Sequence, residues 1–240
     1  MTDFAQSLKN RFYRNSEHPY EVFEREISSL IRPGDVLLDA GCGRTAPTLR
    51  KFTQVSGRSI GVDLVDPREV PPGIEYHQGD LAVLPVESNS VDLIISRSVF
   101  EHLTDPDAVY RELFRLLKPG GHLVFLTANA YDYGTLLARV IPNRFHARIV
   151  KKVEGRPEED TFPIAYKTNS YQMVKRLSAN AGFRLKDFSY LNQYPNYFMF
   201  NGALFFVGMC YERLTSKINA LRFLRGWILV TLEKPLEQVK

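Results

Sequence analysis

Three short stretches of the sequence carry residue types suited to holding a nucleoside. The first is Asp39-Ala40-Gly41-Cys42-Gly43, directly after the apolar run Val36-Leu37-Leu38. Glycines there let the backbone turn tightly and approach a ligand closely, and a helix start just beyond would offer free backbone N–H groups. Gly41 and Gly43 with Ala46 also satisfy the relaxed dinucleotide fingerprint, and the same residues suit a plain strand-to-helix turn. The second stretch ends at Asp63, behind Ile60-Gly61-Val62. An acid roughly 20 residues after such a loop can accept from two ribose hydroxyls, or it can cap a helix. The third is Gly79-Asp80-Leu81, where the Asp can accept from an adenine amino group and the Leu N–H can read a ring nitrogen. Gly-Asp is also good turn chemistry.

These residues act together only if the chain brings them to one edge. Tyr20, Phe23, Ile27, Leu30 and Ile31 recur at helical spacing, which predicts a helix over 4–31, stopped by Pro33-Gly34. Apolar runs without alternation predict buried strands at 36–41, 59–63, 74–78, 91–96 and 122–127. Helices are predicted near 47–52 and over 106–117, with a turn at Lys118-Pro119-Gly120-Gly121. Strands alternating with helices imply a mainly parallel sheet whose ligand crevice lies at the carboxyl ends of the strands. Asp39, Gly41, Asp63, Ser96 and Thr127 all fall at such ends. Further on, a helix is expected over 168–181 and strands over 183–191 and 227–233, with mostly apolar, helical sequence between the two strands.

The 240 residues suit one α/β domain with a sizeable core. A net charge of +4 without a dense basic stripe argues against nucleic acid as a partner. Cys42 and Cys210 form no Cys-x-x-Cys pair, which argues against a disulfide framework or structural zinc and fits a reducing compartment. The polar N-terminal residues lack the apolar run of a leader, so a cytoplasmic location is expected. The longest apolar stretch, from Tyr197 to Tyr211, is shorter than the roughly 20 residues that span a bilayer.

Six motifs occur in order: Leu38-Asp39-Ala40-Gly41-Cys42-Gly43, Gly61-Val62-Asp63, Gly79-Asp80-Leu81 through Leu84-Pro85, Val91-Asp92-Leu93, Glu101-His102-Leu103 and Leu117-Lys118-Pro119-Gly120-Gly121. With them the chain resembles the class I S-adenosylmethionine (SAM)-dependent methyltransferases over residues 34–127. One departure is Thr45, which stands where many members have a third glycine. The resemblance implies a three-layer Rossmann-like α/β fold: a mainly parallel seven-stranded sheet, its last strand antiparallel, with helices on both faces. It implies SAM as cofactor. Asp39, Gly41 and Gly43 would face its methionine end, Asp63 and neighbouring Leu64 its ribose, and Asp80 and Leu81 its adenine. Ser96 and Arg97 would close the site beside the sulfonium. Tyr20, with Tyr13 and Arg14, would belong to an N-terminal lid. A dehydrogenase fits less well, since nicotinamide folds rarely place an acid two residues before the first glycine.

The same resemblance divides the single domain into a helical lid (1–33), a SAM-binding core (34–127) and two insertions (129–165 and 195–224) that would cap an acceptor. The expected reaction is methyl transfer to a small molecule, at an oxygen nucleophile. The alternatives are an N- or C-methyltransferase for a lipid-like or anionic acceptor, and a non-catalytic SAM-binding subunit. His102 is the first candidate base and His146 the second; His102 also suits packing or capping of the next helix. Ser98 stands where related quinone-pathway enzymes have the first carboxylate of a metal-linked Glu-x-x-Glu-His set, so no metal is expected. Tyr131 and Tyr133 either line the acceptor pocket or pack in the core. Arg144, Arg148, Lys151 and Lys152 suit an anionic acceptor group or a solvated face. Three readings stand for 195–224: a cap over an apolar acceptor, a homodimer surface, or a helix at a membrane interface.

Overall fold

A computed structural model describes residues 2–140 and 162–236, the side chains of 137–140 excepted. The chain divides into two compact units. One holds Tyr20–Thr127, Ala165–Ser189 and the chain from Leu229 onward. The other holds the residues up to Pro19, Ala128–Ile164 and Tyr190–Ile228. The nucleoside-binding candidates all lie in the first.

The first unit is built on a seven-stranded sheet in the order β3-β2-β1-β4-β5-β7-β6. Its strands are β1 (Val36–Ala40), β2 (Arg58–Asp63), β3 (Ile74–Gln78), β4 (Val91–Arg97), β5 (Leu117–Ala128), β6 (Arg184–Leu191) and β7 (Trp227–Glu233). β1 to β5 run parallel, while β7 runs antiparallel to β5 and β6. The central strands are buried along nearly their whole length, as continuous apolar runs demand. Helix α2 (Pro19–Leu30), helix α3 (Pro106–Leu116) and helix α5 (Tyr171–Ala181) complete this unit. Asp105 starts α3 by accepting from the Ala108 N–H at 3.1 Å, with Pro106 in the first turn where its missing N–H costs nothing. Phe100 and Phe125 stack at 4.0 Å, and the Tyr110 ring meets both edge-on in the core.

Three expectations are corrected. The helix expected over 4–31 is two helices, α1 (Asp3–Phe12) and α2, because Pro19 pushes His18 out of helical geometry. Only one 3-10 turn, Leu49–Lys51, forms where a helix was expected near 47–52. Ala46 has a left-handed φ of 44° just before it, and Val55 and Gly57 pair with Gly34 and Asp35 just after. Among the described residues, no helix N-terminus therefore follows directly on the glycine loop. The Lys118–Gly121 turn is instead part of β5, with a register slip between Val91 and Leu93. Gly120 takes φ 83°, and Gly120 and Gly121 exchange backbone bonds with Lys234 at 2.8 and 2.9 Å.

The second unit holds α1, α4 (Tyr133–Val140) and α6 (Gly202–Lys217) with connecting 3-10 turns. Asn201 caps α6 by accepting from the N–H groups of Ala203 and Leu204. The Tyr13 hydroxyl donates to Glu212 at 3.0 Å, and the Asn129 amide donates to the carbonyls of Phe223 and Arg225. Among the described residues no helix is long and apolar enough to cross a membrane.

Candidate cofactor site

The carboxyl ends of β1, β2 and β4 are adjacent, so their terminal residues are neighbours without any loop having to reach. At the end of β1 the chain reverses through Gly41 and Gly43, with φ values of 85° and 69°. The amides of Gly41 and Cys42 both donate to the Val62 carbonyl, which ties the loop to β2. A Cβ on Gly41 would sit 2.1 Å from Val99 Cγ2, so the loop after β4 occupies the space a side chain would need. A Cβ on Gly43 would meet nothing within 4 Å, which leaves that side of the loop open.

Asp63, at the end of β2, accepts from the Gly43 N–H at 2.7 Å through one carboxylate oxygen and from the Val65 N–H at 3.2 Å through the other. Its backbone carbonyl accepts from the Gly79 N–H at 2.9 Å, which links the second candidate stretch to the third. There Asp80 accepts from the Ala82 N–H at 2.9 Å with one oxygen, so the turn chemistry of Gly-Asp is used. Leu81 is buried, whereas Leu64 is 55% exposed.

Asp39 is fully enclosed in β1. Burial pushes its carboxyl up to about 7, opposed by the positive charge of Arg97 and by a bond from the Leu49 N–H, and reinforced by Asp63. Arg97 lies over the Tyr20 ring at 4.3 Å and 3.9 Å from Glu24, which also pairs with Lys51 at 2.6 Å. Tyr20 of α2 thus meets the end of β4 through Arg97. Tyr13 and Arg14 belong to the other unit. Ser96 is differently used: its hydroxyl donates to the Ala40 carbonyl at 2.6 Å, deep in the sheet, so its side chain clamps β4 to β1.

Beyond β4 the backbone is strained. Ser98 has φ 58°, and its enclosed hydroxyl has no hydrogen-bond partner among the described residues. His102 ends a 3-10 turn, Phe100–His102, with its N–H donating to the Val99 carbonyl. The neighbouring Glu101 carboxylate is buried and accepts from the Thr127 hydroxyl, which in turn accepts from Asn169 at 2.9 Å. Sequence reasoning noted Thr127 only as a strand end and missed Asn169. A polar residue before Ser170, the cap of α5, looks like ordinary loop sequence. His146 and the basic residues from Arg144 to Lys152 lie outside the described residues. Tyr133 lies in the second unit, packed on Phe198 and Tyr211; Tyr131 is 46% exposed there.

The arrangement fits a nucleoside that carries positive charge. Two carboxylates, Asp39 and Asp63, lie at the ends of adjacent strands, the glycine loop presents an open backbone, and the Ser98 hydroxyl is a donor without a partner among the described residues.

Residues 38–125 match the methyltransferase domain family. A probable S-adenosylmethionine-dependent methyltransferase of Mycolicibacterium smegmatis is 30% identical over 152 residues, 61% of this chain and 56% of that protein. The chain thus spans just over half the length of that relative. A ubiquinone/menaquinone biosynthesis C-methyltransferase of Shewanella frigidimarina is 25% identical over 209 residues, covering 79% of each chain. In fold, a geranyl diphosphate C-methyltransferase of Streptomyces coelicolor, solved with Mg2+, geranyl diphosphate and S-adenosyl-L-homocysteine, superimposes with a TM-score of 0.57. That match has 15% identity and covers 98% of this chain and 85% of that one. Over residues 38–125 the sheet-bearing part is thus similar to the methyltransferase domain family, and its fold is shared with the methyltransferase structure named above.

Proposed function

We propose that this protein transfers a methyl group from SAM to a small-molecule acceptor at an oxygen nucleophile. The observation that carries the transfer reading is the meeting of Asp39, Asp63 and the open Gly43 backbone at adjoining strand ends. Asp63 would hold the ribose hydroxyls and Asp39 the positively charged methionine end, with Tyr20 and Arg97 closing the edge. Leu64 would lie beside the ribose, and Asp80 and Leu81 would border the adenine.

Bound SAM supplies a methyl group already activated by its sulfonium charge. The chain therefore has to align the acceptor and exclude water, and alignment alone can lower such a barrier by roughly 7–11 kcal/mol. Asp39 supplies a negative field in a dry setting, where charge acts strongly. His102 stands at the strand edge to take the hydroxyl proton of the acceptor as the new oxygen–carbon bond forms. The Glu101–Thr127–Asn169 chain fixes the turn that carries it. We read His146 as a second base and 129–165 and 195–224 as the acceptor-facing segments.

A second reading, carbon methylation of a lipid-like acceptor, is favoured by the relatives named above as C-methyltransferases. Incubation with methyl-labelled SAM and fractionated metabolite extracts separates the two. Label on an oxygen ether or ester supports the first and label on carbon the second. Failure of the wild-type protein to bind SAM in a calorimetric titration overturns both.

A further inference from the structure

The exposed side of α6 is apolar where a surface helix is normally polar. Ala203, Val207, Cys210, Leu214 and Lys217 recur at spacings of four and three along it, all exposed. Val207 is 64% exposed, Leu214 51%, Phe206 48% and Leu204 41%. The patch continues past both ends of the helix. Phe200 is 57% exposed just before it, and Phe4 of α1, 58% exposed, occupies the place a side chain on Gly202 would take. The opposite side of α6 is also apolar and is already buried through Phe205 and Met209. Core packing thus accounts for one side only, and contiguous apolar surface of this kind marks a contact.

Charge decides what the contact is. Between Pro195 and Arg225 the sole acid is Glu212, which is buried, while Arg213, Lys217 and Arg222 are exposed. A second copy laid on this face by two-fold symmetry would set basic ends against each other or bury them on apolar surface, both unfavourable. A coiled-coil seam would also be narrower, with charges of both signs along its flanks. A lipid surface carries neither penalty: its hydrocarbon takes the apolar side chains while its anionic headgroups meet cations that snorkel outward. We propose that the exposed face of α6, with Phe4 and Phe200, docks this protein in plane on an anionic membrane surface. The proposal is independent of the acceptor.

Cys210 lies within that face and Cys42 is buried, so an environment-sensitive thiol dye reports on the face selectively. The full chain labelled at Cys210 is mixed with phosphatidylcholine vesicles with and without about one-third phosphatidylglycerol. The expected result is a blue shift and co-sedimentation with the anionic vesicles only, weakened by salt. Replacing Lys217 or Arg222 with Gln should weaken binding roughly fivefold each. Val207→Glu should abolish it, with circular dichroism and SAM titration unchanged. No binding to anionic vesicles at low salt overturns the proposal. So does binding unaffected by Val207→Glu, or sedimentation showing a dimer that Val207→Glu dissociates while vesicles are ignored.

Discussion

Asp63 accepts the backbone N–H of Gly43 at 2.7 Å, so the acid that ends β2 also sets the shape of the glycine loop that follows β1. A carboxylate has about four lone-pair sites, and the two backbone bonds leave capacity for a ribose diol. Asp63→Ala removes both functions. It should weaken SAM binding by roughly ten- to a hundredfold, as expected for hydrogen bonds to a charged group. Asp63→Asn should be milder, because its amide oxygen can still accept from Gly43. Isothermal titration calorimetry on the two variants checks the order.

Asp39 gives the cofactor site a pH dependence of known sign. In the ligand-free fold its carboxyl holds its proton up to about pH 7, whereas an unfolded aspartate releases it near pH 4. The folded state therefore binds more protons between these values. The contribution of Asp39 to stability is fullest below about pH 4 and falls as pH rises toward 7. A cationic ligand favours the ionised form, so SAM affinity should rise over the same window, by up to about tenfold per unit, and level off above it. Asp39→Asn should flatten both curves. Affinity measured from pH 5.5 to 8.5 decides, and a flat wild-type curve counts against the assignment.

Gly41 and Val99 make a paired prediction. Gly41→Ala drives a methyl group into Val99 Cγ2 and also strains a φ of 85°. The expected loss is about 1–3 kcal/mol. Adding Val99→Ala should recover only part of it, because the backbone strain remains. Urea denaturation of the two single variants and the double variant isolates the coupling.

Asn169 and Thr127 should matter more for turnover than for cofactor affinity. Asn169→Ala strips one partner from a buried chain and should cost about 1–3 kcal/mol. If the chain fixes His102, kcat falls while the Kd for SAM stays within about twofold. Thr127→Val should do the same, because Glu101 then loses the hydroxyl that donates to it.

A buried acid of the second unit, Glu212, offers an independent check. Burial, and secondarily the charge of Asp132, push Glu212 up to about 9, against the hydrogen bond from Tyr13. The folded protein thus carries an extra proton from the ordinary carboxylate range up to about pH 9, and stability falls as pH rises through that interval. Glu212→Gln keeps an acceptor for Tyr13 and should raise stability at pH 8 by on the order of 1–3 kcal/mol. Thermal melts at pH 5 and pH 8 should show the gain growing with pH.

The centre of the sheet is readable because β1, β2 and β4 are largely apolar runs, and the expected bounds at 74–78 and 227–233 also agree with β3 and β7. What misled was local chemistry overruled from afar. Lys118-Pro119-Gly120-Gly121 has turn composition, yet its backbone partner is Lys234, which no nearby residue announces. Tyr20 over Arg97 and Asn169 on Thr127 are likewise pairings between distant segments, and buried polar contacts leave no period along the chain. Ser96 shows the converse: its place at a strand end was right, but a hydroxyl can equally serve the neighbouring strand.

The position of β7 between β5 and β6 also governs how the molecule is made. β6 is complete by Leu191, but the strand that joins it to the sheet begins only at Trp227. During translation β6 must emerge from the ribosome and wait, its edge unpaired, while α6 is synthesised. Ile228, Val230 and Leu232, fully buried in the finished sheet, then lock two earlier strands together at once. Only once β7 has emerged is the nascent sheet safe from pairing with a neighbour.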